Sequence, residues 1–230
     1  MAVDLYRRKF RLQAISKLGG RCVTCGIDDW HFLALDHIDA GGLAHRKQIN
    51  WCSRKVFIEV CESVEAYLKY QVLCFNCNFI KSDKLKDGLS KRDPNLIEVS
   101  STAGRRCLWC SKIAFKGGLC LSCYEHNKLQ VRRQSLRLKQ AIVEGYGGKC
   151  NCCGYSENIY ALVIDHIFND RKEEIKKFKG STHTFYRYLR DASYPKDRYQ
   201  LLCMNCNMGK QLYNGVCPHV IGVPNHVNYS

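Results

Sequence analysis

Twelve of the sixteen cysteines fall into three sets of paired knuckles, and beside two of those sets the same Asp-His dipeptide recurs. The sets are Cys22, Cys25, Cys74 and Cys77; Cys107, Cys110, Cys120 and Cys123; and Cys150, Cys153, Cys203 and Cys206. Two thiolates from one Cys-x-x-Cys unit and two from another are the commonest way to fill a tetrahedron around Zn²⁺. Four thiolates leave no open position, so such a site braces a fold and performs no chemistry. Three structural zinc ions are therefore expected. The remaining cysteines lie outside the sets: Cys152 has Thr24 at its counterpart position and reads as a non-ligand, while Cys52, Cys61 and Cys217 read as buried free thiols. Chemistry falls to the other recurring residues. These are Asp36-His37 and Asp165-His166, each a carboxylate beside an imidazole, and Asn78 and Asn207, which directly follow the last cysteine of their sets.

These residues belong to an internal duplication. Asp36, His37, Cys74, Cys77, Asn78 and Lys81 recur at a constant spacing of 129 as Asp165, His166, Cys203, Cys206, Asn207 and Lys210. Cys22 and Cys25 recur at 128, so one single-residue indel separates the copies. Each copy reads as a helix (7–18 and 127–144), a Gly-Gly pair, a knuckle, and a short apolar strand ending in Asp-His. A variable middle follows, and then a knuckle that opens a helix. Side chains alternate along a strand, so bringing Asp and His to one face calls for a bend or a bulge. The resulting division is a first repeat domain over 1–89, a polar linker over 90–104, a four-cysteine finger over 105–126, a basic helix over 127–147, a second repeat domain over 148–216, and a loosely ordered tail over 217–230.

Each copy is too short for a large core, which is why metal staples are expected. The net charge of +15 and the isoelectric point near 9.2 point to a polyanionic partner, nucleic acid above all. Trp109 and Tyr124 at the central knuckles, and the stretch Phe185–Arg190, suit nucleic-acid contact; the latter suits a packed helix face equally well. The first residues are charged, with no apolar signal region, and no apolar run approaches the roughly 18 residues that cross a bilayer. A reducing, cytoplasmic setting with no membrane partner is expected, in which paired cysteines bind zinc.

In combination, the Asp-His strand and the closing Leu-Cys-x-x-Cys-Asn motif resemble the HNH or His-Me-finger (ββα-metal) endonucleases, closest to the phage endonuclease VII type. The resemblance covers roughly 20–85 and 148–213. It implies an α+β fold: two small zinc-stabilised ββα-metal domains joined by a four-cysteine zinc finger and a basic helix. The implied activity is hydrolysis of phosphodiester bonds in double-stranded or branched DNA, by a protein of a phage-infected or bacterial cell. Asp36 and Asn78 would hold Mg²⁺ or Mn²⁺, and His37 would act as general base; Asp165, Asn207 and His166 would do so in the second copy. Those residue types suit the roles, since Mg²⁺ takes carboxylate and amide oxygens and imidazole titrates near neutrality. His45-Arg46 resembles an element of the phage proteins, and with Lys81 and Lys210 makes a set of candidate phosphate contacts. At the matching position the second copy has Glu174-Ile175, with His183 as a candidate substitute for His45. The sequence departs from the endonuclease VII pattern after Asp-His, where Ile38-Asp39 and Ile167-Phe168 stand in place of a second acidic-His pair. The alternative is a non-catalytic nucleic-acid-binding protein that keeps the same zinc scaffold.

Overall fold

The computed structural model describes residues 2–39, 41–50, 52–88 and 105–221; the expected linker 90–104 and the tail beyond 221 lie outside the described residues. The chain is mixed α+β. In the first copy α1 (Ala2–Lys17) leads to a 3-10 turn (Trp30–Phe32), β1 (Leu33–His37), α2 (Gly42–Gln48), α3 (Ser53–Glu62), α4 (Ala66–Lys69), β2 (Tyr70–Cys74) and α5 (Phe75–Gly88). After the central knuckles, α6 (Leu121–Gly145) leads to a second 3-10 turn (Ile159–Ala161), β3 (Leu162–His166), α7 (Arg171–Lys177), α8 (Thr182–Asp191), β4 (Tyr199–Cys203), α9 (Met204–Leu212) and α10 (Pro218–Ile221). The strands make two separate two-stranded sheets, β1 with β2 and β3 with β4.

Local chemistry explains why the elements recur. Both lead-in helices stop at a Gly-Gly pair whose residues take φ of 96° and 68° in one copy and 96° and 73° in the other. The Gly20 amide donates to the Ile15 carbonyl at 2.9 Å and the Gly148 amide to that of Val143 at 2.8 Å. These are the six-to-one bonds of a Schellman stop, which needs a left-handed residue that glycine supplies at little cost. Asp29 and Asn158 cap the two 3-10 turns through their side-chain oxygens, onto His31 and Tyr160 amides.

The chain forms two compact units, and their limits do not follow the repeat boundaries. One comprises the described parts of Met1–Lys84, Lys149–Asp165 and Leu201–Ser230; the other comprises those of Leu85–Gly148 and His166–Gln200. In the first unit, α1 packs on α3 and β1. Ile15, Leu33, Val72 and Leu73 bury against Cys22 and Cys74, and a second cluster gathers Ala14, Val56, Val60, Ala66 and Tyr70. In the second unit, α6 packs on α8. α6 starts at Leu121, six residues before the basic helix read from sequence, because its first turn carries Cys123 of the central set. Of the tail expected to be loose, the described residues 217–221 instead hold the single turn α10 on α9, with Cys217 and Pro218 buried.

Among the described residues, no helix is long and apolar enough to cross a membrane.

Candidate active site and metal centres

The three predicted cysteine sets each converge. In every set the four sulfurs lie within 4.8 Å of one another. Zinc holds sulfur at about 2.3 Å, which sets the edge of an S₄ tetrahedron near ~3.8 Å. Cys25 and Cys74 stand 3.7 Å apart, as do Cys153 and Cys203, and Cys110 and Cys120 stand 3.4 Å apart. These groups can hold metal ions, and the tetrathiol chemistry fits zinc. The knuckles are shaped by backbone: the Cys77 and Cys206 amides donate to the Cys74 and Cys203 sulfurs at 3.4 and 3.5 Å. At the central set, the Ser122 hydroxyl and the Cys123 amide hold the Cys120 thiol down to about 6, toward the thiolate that a metal needs.

Two residues without an assigned role join the knuckles of the two copies inside the first unit. The Asn76 amide donates to Asn205 Oδ1 at 2.9 Å, and the Asn205 amide donates to Asn76 Oδ1 at 2.8 Å. Both side chains are buried. Residues at the same repeat position thus pair with each other, the isologous pattern of a two-fold contact. Their identity at the spacing of 129, outside the zinc ligands, was the available signal.

The Asp-His dipeptide closes β1. The ladder runs without a bulge through Asp36↔Gln71 and His37↔Tyr70, so the two side chains take different neighbours. Asp36 Oδ2 accepts from Gln71 Nε2 at 2.8 Å and from Lys81 Nζ at 2.5 Å. The same ammonium also caps the strand end, donating to the carbonyls of His37 and Ile38. Asp36 therefore meets Lys81 of α5 and not Asn78, which sits half-buried one turn earlier on that helix. Lys210 repeats the bond, with Nζ 2.7 Å from Asp165 Oδ2, and both of those groups are buried. Lys81 and Lys210, read from sequence as candidate phosphate contacts, are thus carboxylate partners. Both bonds to Asp36 fall on Oδ2, so a carboxylate Oδ1 and the Asn78 amide oxygen are the donors here that suit a hard divalent cation.

His37 is held by a chain of side chains that spacing could not reveal. Its Nε2 lies 2.9 Å from His45 Nδ1, His45 Nε2 lies 3.2 Å from Glu59 Oε2, and the Tyr70 hydroxyl lies 3.3 Å from His45 Nδ1. A carboxylate accepts, so a neutral His45 donates from Nε2 and accepts at Nδ1. His37 then donates from Nε2, which leaves its lone pair on Nδ1. That nitrogen faces Gly42, where a Cβ would stand only 3.0 Å from it. Burial, and after it repulsion from His45 when that ring is protonated, hold the His37 pKa below 6.5 and favour the neutral ring. His45, expected at a phosphate, is instead turned inward, while Arg46 stays exposed and donates to the Gly42 carbonyl at 3.1 Å.

In the second unit Glu174 fills the station of His45. His166 Nε2 lies 3.1 Å from Glu174 Oε2, and the Tyr199 hydroxyl donates to that same oxygen. Arg198 completes it, 2.9 Å from Oε1. Phe185 stacks on the His166 ring at 5.5 Å, so that part of the aromatic-basic stretch is a packed face. His183 does not replace His45: it lines a groove between α6 and α8 with Gln134, Arg137, Arg187 and Arg190.

Comparison with family models, with curated proteins and with solved structures returns no match.

Proposed function

We propose that this chain is a metal-dependent endonuclease of the HNH kind, with His37 as general base and His166 as its counterpart. The observation that carries the reading is the shared contact at the Nε2 of each histidine. Two unlike partners, His45 and Glu174, stand at the same repeat position, 2.9 and 3.1 Å from Nε2 of their histidines, and a neutral imidazole that donates from Nε2 keeps its lone pair on Nδ1. A neutral ring oriented in this way can take a proton from water near neutral pH. Asp36 and Asn78 would hold the divalent cation, as would Asp165 and Asn207; when bound, it neutralises charge developing on the scissile phosphate. Lys81 would leave Asp36 Oδ2 for the phosphate as the cation arrives. The net charge of +15 and the arginine-lined groove beside α8 support a nucleic-acid substrate, double-stranded or branched DNA first.

The second reading is a non-catalytic nucleic-acid-binding protein on the same scaffold. The Asp36–Lys81 and Asp165–Lys210 ion pairs favour it, because each carboxylate already has a cation. Cleavage assays with plasmid, four-way junction and RNA in Mg²⁺ or Mn²⁺ separate the two. The nuclease reading expects the wild type to cut and His37→Ala with His166→Ala to abolish cutting. A wild type that binds every substrate and cuts none supports the scaffold reading; a double variant that cuts as well as the wild type would show that neither histidine is the base.

A further inference from the structure

Cys206 belongs to two four-ligand groups at once. One is the set with Cys150, Cys153 and Cys203; the other joins it to Cys152, Cys217 and His219, whose donor atoms also lie within 4.8 Å of one another. His219 Nδ1 stands 3.3 Å from Cys206 Sγ and 3.7 Å from Cys217 Sγ. With zinc at about 2.3 Å from sulfur and 2.0–2.1 Å from nitrogen, the S–N edge of a tetrahedron is near ~3.6 Å, which those two distances bracket.

The ligand count closes. Two tetrahedral ions have eight coordination positions, and a shared thiolate fills two of them, so seven side chains complete both shells. The two groups supply those seven: six thiols and one imidazole. Burial agrees, because Cys150, Cys203, Cys206 and Cys217 are all buried, and several thiolates packed together out of water need cations to hold them. We propose that the second copy carries a two-zinc cluster, with Cys150, Cys153 and Cys203 on one ion, Cys152, Cys217 and His219 on the other, and the Cys206 thiolate bridging them.

The first copy has no equivalent, since Thr24 stands where Cys152 does and Gly88 where Cys217 does. The extra ion fastens α10 to α9. The His219 ring lies against Phe32 of the first copy, with centroids 4.4 Å apart, and Pro218 sits against Gly209, where a Cβ would come within 2.9 Å of both Pro218 and Phe32. The C-terminal turn is thereby stapled to the face that joins the knuckles of the two copies. The proposal is independent of whether the chain cuts nucleic acid.

The test is metal content of the full chain by elemental analysis and native mass spectrometry, together with alkylation of the zinc-loaded protein. Four zinc per chain are expected, with Cys152 and Cys217 protected from iodoacetamide until a chelator is added. The double variant Cys152→Ser with Cys217→Ser should hold three. Three zinc in the wild type, an unchanged count in the double variant, alkylation of Cys152 or Cys217 in the loaded chain, or a Cys152–Cys217 disulfide in its mass would each overturn the cluster. If the double variant fails to fold, the wild-type count and the alkylation pattern decide.

Discussion

His37 Nε2 meets a residue eight positions along, and Glu59 stands beyond it on the same chain of side chains. On the proposed nuclease reading, His37→Ala removes the general base and is expected to slow cleavage at that site by about 10²–10⁴-fold. His45 acts through His37, so His45→Ala should cost less, while His45→Glu, which copies the Glu174 arrangement, should restore most of the rate. Strand-specific cleavage of a nicked substrate by His166→Ala proteins carrying these changes checks it; a His45→Glu chain as slow as His45→Ala would show that position 45 does not orient the ring. The lowered pKa has a consequence for stability. Because the folded ring binds its proton more weakly than the unfolded one, stability is full above pH 6.5 and is lost as pH falls from there through the folded value. Thermal melts between pH 7.5 and 5 should show the wild type losing more of its Tm than His37→Gln. Parallel curves would mean the ring carries no such linkage.

At the scale of elements, the notable pairing is between the starts of α5 and α9. Each knuckle delivers one asparagine to the other copy, and each asparagine satisfies a buried backbone amide. Asn76→Ala leaves the Asn205 amide without its acceptor, for which about 1–3 kcal/mol of destabilisation is expected. Since the two bonds form one reciprocal contact, Asn76→Ala and Asn205→Ala should be non-additive, with a coupling of about 0.5–3 kcal/mol in a double-mutant cycle of denaturant melts. Additive losses would show two independent caps. The lead-in helices, the Asp-His strands and the knuckles were legible because each is specified locally, by Gly-Gly stops, short apolar runs and Cys-x-x-Cys spacing, whereas β2, β4 and the helices of the variable middles were not. The Asn76–Asn205 contact was not legible, because which side chain meets which across 129 residues depends on packing that neither copy encodes alone.

At the scale of the molecule, small apolar clusters are supplemented by cysteine groups in both compact units. The Cys22 and Cys150 sets lie in one unit and the Cys107 set in the other. Metal binding of this type is folding energy, so stripping zinc with a strong chelator should collapse the helical circular dichroism of the native chain, and zinc under reducing conditions should restore it. A chain that keeps its signal when metal analysis reads zero would show that apolar packing alone suffices.

Residue spacing alone determined the duplication, the three cysteine sets and the recurrence of Asp, His and Asn beside them. All of these are properties of covalent order, and metal chemistry narrows them sharply. The tertiary structure decided the neighbours. It put Lys81 rather than Asn78 on Asp36, turned His45 inward to His37, set Glu174 at the same station, and brought Cys152, Cys217 and His219 onto Cys206. Hydrogen bonds and coordination reach only about 2–4 Å, and which groups come that close is settled by how strands and helices pack, not by their order along the chain.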